Sequence, residues 1–132
     1  MKHEEQAIHI AVAKHLRLRG MPGLVHFHCP MGAHYASRFQ GAMMQALGAR
    51  KGVSDFILVY KSRIYCLELK APGGRATEEQ LLFLDDMFRQ GAVTAIANGI
   101  DQALATLERW GLLRGSTVND VLRINVERME AR

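Results

Sequence analysis

GVSDFILVYKSRIYCLELKAPGGRATEEQ, residues Gly52 to Gln80, is the stretch whose reading decides the fold of this chain. Two apolar runs, Asp55 to Tyr60 and Arg63 to Lys70, are separated only by Lys61 and Ser62. That pattern predicts two antiparallel strands joined by a tight connection. Yet the runs also carry Asp55, Glu68 and Lys70. Side chains alternate faces along a strand, so Glu68 and Lys70 point one way and Leu67 and Leu69 the other. Closing the hairpin around Lys61 and Ser62 pairs Tyr60 with Arg63, and counting outward brings Asp55 opposite Glu68. A four-residue loop keeps this register, whereas a three-residue loop would slip it. Directly opposed residues share a face, with β-carbons about 5 Å apart.

Two carboxylates at that separation repel, and a sheet should not retain them without compensation. A divalent cation supplies it, because hard cations take oxygen ligands from Asp and Glu. The backbone carbonyl of Leu69 could add one more oxygen, and Lys70 stands one pleat beyond Glu68. There it could hold a phosphate oxygen or orient an attacking water. An E-x-K tripeptide alone also marks a solvated strand face with a paired salt bridge. What separates the two readings is the combination: Asp55, one hairpin, Glu68-Leu69-Lys70, and a glycine-rich exit into a helix carrying Gln80.

Outside the hairpin, Glu4 to Leu18 reads as a helix, with Ile8, Ala11, Val12 and Leu16 at helical spacing. Gly20, Pro22 and Gly23 stop it, and Leu24 to His28 is a short strand. Ser37 to Leu47 is a second helix ending at Gly48. Thr77 is the N-cap of a third, running to about Gln90, and Thr77-Glu78-Glu79-Gln80 fits a capping box. For Gln80, a capping role and an active-site role both stand. Ala92 to Ala97 is a further strand and Ile100 to Trp110 a fourth helix, while the tail from Ser116 suits either a strand or a helix. The expected order is α-β-α-β-β-α-β-α, a mixed α/β single domain over residues 1–132.

Composition narrows the function classes. No apolar run approaches the roughly 18 residues of a membrane span. The N-terminus MKHEEQAIHIAVAKHL lacks the apolar segment of a secretory signal, so a cytoplasmic location is expected. Cys29 and Cys66 form no CxxC and read as free buried thiols. Seventeen basic against thirteen acidic residues give a net charge of +4, compatible with a polyanionic partner. The bases are dispersed (Lys14, Arg17, Arg19, Arg50, Lys51, Lys61, Arg63, Arg75, Arg109, Arg114), so contacts would come from a folded surface rather than a tail.

All six histidines fall within the first 34 residues. His26 and His28 share a strand face, which invites zinc, but no cysteine or third histidine lies at zinc spacing. His28 or His34 could instead contact a substrate phosphate. Met43, Met44 and Met87 read as core filling, whereas Phe83, Met87 and Trp110 are also apolar bulk that one small core need not cover.

Taken in order, an acidic N-terminal helix, GARKGVSDFILV, YCLELK, GGRATEEQ and FRQGAVTAIANGIDQALATLERWG resemble the virus-type replication–repair nuclease (VRR-NUC) domain. That family is a branch of the PD-(D/E)xK nucleases, with a restriction-endonuclease-like fold. The resemblance covers about Glu4 to Leu113 and implies a Mg2+- or Mn2+-dependent deoxyribonuclease without an organic cofactor. Carried over by position, Asp55 and Glu68 would be metal ligands and Lys70 the catalytic lysine. Gln80 would be the family's helical glutamine, and Glu5, with Glu4 as the neighbouring alternative, the helical acid. The chain departs from the pattern at Ser54, where the family has proline, and at Met31, where it often has asparagine. Stand-alone members resemble junction-resolving enzymes, act on branched DNA such as Holliday junctions in repair, and pair as homodimers. Small stand-alone versions are typical of phages and prophages. The contrasting reading is a catalytically silent DNA-binding module, although such forms lose the acid pair or the lysine and this chain keeps both.

Overall fold

A computed structural model describes residues 3–30, 37–115 and 129–130; the readings on Met31, His34 and the tail 116–128 lie outside the described residues. The elements follow the expected order: α1 (His3–Arg19), β1 (Val25–His28), α2 (Arg38–Ala46), β2 (Phe56–Tyr60), β3 (Arg63–Lys70), α3 (Glu78–Arg89), β4 (Val93–Asn98) and α4 (Ile100–Arg109).

The hairpin closes as its sequence requires. Lys61 and Ser62 both take positive φ, 49° and 65°. Such a two-residue turn matches the twist of the flanking strands and admits one register only. Tyr60 pairs with Arg63, and the ladder runs to Phe56 opposite Leu67. β1 adds antiparallel to β2, and β4 parallel to β3, giving a four-stranded mixed sheet ordered β1-β2-β3-β4.

Period-two patterning divides β3 between two cores. Tyr65, Leu67 and Leu69 join Phe56 and Leu58 under α1 and α4, packed on Ile8, Val12, Leu16, Ala103 and Leu107. Cys66 faces the other way, against Phe83, Leu84 and Ala92 beneath α3. The helices therefore lie on both faces of the sheet. Glu4 and Glu5 in the first turn of α1 and Arg17 and Arg19 in its last turn complement the helix dipole.

Several surface expectations change. Arg19 is 2% exposed rather than available to a polyanion. Its guanidinium donates to Glu108 Oε1 at 2.6 Å and to the Arg114 carbonyl at 2.8 Å, tying α1 to the end of α4. A buried guanidinium needs such partners, since desolvating an unpaired charge is costly. Phe83 is buried, Met87 of α3 is partly buried against the same core, and Trp110, also partly buried, packs on Tyr65 with ring centroids 5.2 Å apart. The fold covers Phe83 fully and the other two in part. Exposed apolar side chains include Phe39 and Met43 of α2, Leu47 at its C-cap, and Leu81, Leu82 and Phe88 of α3. Met43 is thus surface, not core, and α2 buries none of its residues. Of the two thiols, Cys66 is buried and Cys29 only partly so.

Candidate active site

β2 ends one residue short of Asp55, and what happens at that end makes the site. Beyond the Phe56–Leu67 pair, backbone pairing gives way to side chains. The Asp55 N–H donates to Glu68 Oε2 at 3.1 Å, and the Leu69 N–H donates to Asp55 Oδ2 at 2.8 Å. The two acids therefore meet as the register predicts, but each also satisfies a backbone donor of the opposite strand. In a strand the N–H and C=O of one residue point to the same side, so the Leu69 carbonyl faces the Asp55 side as well.

Glu68 is 3% exposed. Burial pushes its carboxyl up to about 8, the Asp55 charge adds to the rise, and Lys70 opposes it. Lys70 is buried too, with Nζ 3.7 Å from Glu68 Oε1. Burial beside Asp55 therefore favours the protonated form of Glu68 more than in an ordinary carboxylate. This is the behaviour of two carboxylates forced together, where one resists ionising beside the other.

Gln80 serves two ends at once. Its Oε1 accepts from the Thr77 N–H at 2.9 Å while the Thr77 hydroxyl accepts from the Gln80 N–H at 3.2 Å, completing the capping box. Its Nε2 donates to Glu68 Oε1 at 2.8 Å. Capping and site contact are thus compatible, because the amide has an acceptor and a donor end. α3 is held at this distance by Gly52, whose φ is +81°. A β-carbon there would stand 2.4 Å from the Glu79 carbonyl.

Ser54, in the position of the missing proline, is fully buried, and its hydroxyl donates to the Phe56 carbonyl at 3.2 Å. The bond spans the turn just before β2 and restrains Asp55 between its two ends. Asn98, at the end of β4, donates through Nδ2 to the carbonyls of Ala71 and Gly74 and so holds the loop leaving Lys70. Neither role was visible in the sequence. Both depend on where strand ends and loops meet.

α1 brings His9 rather than a carboxylate against Asp55. His9 Nδ1 lies 3.8 Å from Asp55 Oδ1, and the His9 ring stacks on Phe56. Glu5 stands one turn earlier on α1, half-buried, and Glu4 is exposed. Among the described residues, neither forms an ion pair with Lys70. His28 of β1 packs edge-on against His9, with ring centroids 4.2 Å apart, and its Nδ1 donates to the Asp55 carbonyl at 2.8 Å. His26, on the same strand, is not part of this group; burial and the nearby Arg17 charge lower its pKa.

Among solved structures, one named "VRR_NUC domain protein" superposes with a TM-score of 0.68 at 18% sequence identity, covering 83% of this chain and 89% of the other. The fold is VRR_NUC-like. No protein-family model matches the chain, and no curated protein matches its sequence. The VRR_NUC-like fold is consistent with the restriction-endonuclease-like architecture, a mixed sheet flanked by helices. No helix of the described residues is long and apolar enough to cross a membrane.

Proposed function

We propose that this chain is a metal-dependent endonuclease hydrolysing DNA phosphodiester bonds, acting on branched or junction DNA as a homodimer. The observation that carries the reading is the geometry of the acid pair: Asp55 and Glu68 meet at the open end of the hairpin, with Lys70 and Gln80 on the buried acid. A structural sheet gains nothing from two carboxylates set against each other.

The residues fit a divalent ion. Asp55, Glu68 and the Leu69 carbonyl are hard oxygen donors, and a cation would relieve the repulsion between the two acids. When bound, Mg2+ or Mn2+ polarises the scissile phosphate and lowers the pKa of water at the site. Gln80 holds Glu68 in one rotamer and so presets the acid's direction. Lys70, buried beside Glu68, neutralises charge that grows on the phosphoryl oxygens during attack. Lys51 and Arg75 lie on the two loops flanking this end, where they can meet the DNA backbone. Apolar side chains left open on α2 support pairing with a second copy.

The test is incubation with labelled duplex, flap and four-way DNA structures in magnesium, manganese or chelator. Cleavage is expected with metal only. Asp55→Asn and Lys70→Ala should each lower the rate by roughly a hundredfold or more, the scale of losing one electrostatic stabiliser. Metal-independent binding with no cleavage by the wild type would favour the catalytically silent DNA-binding module instead.

A further inference from the structure

His9, His28 and Asp55 bring one ligand atom each within 4.8 Å of one another. Two observations, taken with the spacing of ligands around an ion, point beyond packing. His9 Nδ1 is buried with no hydrogen-bond partner, although buried ring nitrogens are normally paired. It faces Asp55 Oδ1 across 3.8 Å, too long for a hydrogen bond. Ligand atoms about 2.0–2.2 Å from a shared ion stand roughly 3–4 Å apart, so that separation suits two ligands of one cation.

The tautomer of His28 agrees. A carbonyl oxygen can only accept, so the Nδ1 bonded to the Asp55 carbonyl carries the proton and Nε2 keeps its lone pair. Metal-binding histidines are oriented in this way, through the second nitrogen. Asp55 divides its carboxylate accordingly: Oδ2 takes the Leu69 N–H, and Oδ1 is left facing His9. His28 is exposed, so the solvent side of the group stays open to water or phosphate oxygens.

We propose that His9, with His28 beside it, supplies nitrogen ligands to a divalent ion held on Asp55, making the site selective for a transition metal over magnesium. Imidazole suits the later first-row ions, whereas magnesium prefers an all-oxygen shell. The proposal deepens the nuclease reading by naming the class of its metal, but it is tested by binding rather than by cleavage.

Chelator-stripped full-length protein is titrated calorimetrically with Co2+, Mn2+ and Mg2+, and the visible spectrum of the Co2+ form is recorded. Cobalt should bind at least about tenfold tighter than magnesium, with absorption bands typical of nitrogen ligation. His9→Ala should weaken cobalt at least about tenfold and change those bands while leaving magnesium affinity little altered. His9→Gln, which keeps bulk against Phe56 and offers an oxygen, should narrow the cobalt-to-magnesium ratio, and it guards against a folding defect in His9→Ala. Cobalt affinity and spectra identical in wild type and both variants would overturn the proposal, as would equal wild-type affinity for cobalt and magnesium. If cobalt binding ignores His9 while magnesium still supports cleavage, the nuclease reading stands and this proposal fails. Cobalt binding through His9 with no cleavage in any metal would give the reverse.

Discussion

At the scale of single residues, Glu68 holds the largest electrostatic stress in the described structure. Its carboxyl is raised from 4.5 to about 8, by burial first and by Asp55 second. A group with a raised folded pKa contributes stability that is complete below its unfolded value and is lost as pH rises through the folded one. The metal-free protein should therefore lose stability as pH rises from about 4.5 through about 8. Glu68→Gln keeps the shape and the Asp55 N–H contact without a charge to strip, so its melting temperature should be flatter over that range. Thermal melts in chelator check this; parallel slopes for the two proteins would remove Glu68 as the cause. The Asp55 carboxylate accepts the Leu69 N–H. Asp55→Asn preserves an acceptor there, whereas Asp55→Ala would orphan a backbone donor at a cost of about 1–3 kcal/mol.

At the scale of elements, the site depends on how closely the N-terminus of α3 approaches the turn before β2. Gly52 sets that approach: a β-carbon would collide with the backbone of Glu79 and Gln80 at 2.4–2.7 Å. Gly52→Ala should push α3 outward, break the Gln80–Glu68 bond and cost about 2 kcal/mol or more, since backbone cannot yield as a flexible side chain can. Gly23→Ala is the control, because Gly23 also has positive φ (+86°) but nothing within 4 Å of its added carbon. Chemical denaturation and cleavage rates of the two variants separate strain from collision. Equal losses in both would mean that the contact with α3 is irrelevant. The capping box belongs to the same scale, since Thr77 holds the first turn of the helix that carries Gln80.

For the molecule as a whole, the predictions concern surfaces. α2 buries nothing and exposes Phe39 and Leu47 at 73% and 74%. Their spacing, with Met43 between them, makes one apolar stripe along the helix. If a second copy covers that stripe, Phe39→Lys combined with Leu47→Glu should convert a dimer to a monomer in light scattering without lowering the melting temperature of the protomer. A wild type that stays monomeric at micromolar concentration would end the dimer reading. DNA binding should be largely sequence-independent and steeply dependent on salt, each phosphate contact adding about 0.9 to the log–log slope on duplex. Arg19 is withdrawn from that count by burial, and Arg50 is held by Asp86 at 2.6 Å. Lys51→Ala should lower the slope by about one contact, and Arg19→Lys should leave it unchanged. Filter-binding across a salt series reads both.

What the sequence by itself determined is local. Period-two alternation and a two-residue connection between two apolar runs set the hairpin register, and with it the meeting of Asp55 and Glu68. Helical spacing and caps placed the helices, and Thr77-Glu78-Glu79-Gln80 announced its capping box in four consecutive letters. These signals are legible because strand alternation, turn closure and capping act over a few residues. Only the tertiary structure decided which face of α1 lies over the end of β2, and therefore that His9 meets Asp55 while Glu5 stands a turn away. It also decided that His9 joins His28 from another element, a pairing that linear spacing does not show. Asn98 and Gly52 belong with these: one holds the loop after β3 and the other admits α3. Such contacts depend on how a helix settles on a sheet far away along the chain. That placement follows from the summed packing of two cores, which no short stretch of sequence encodes.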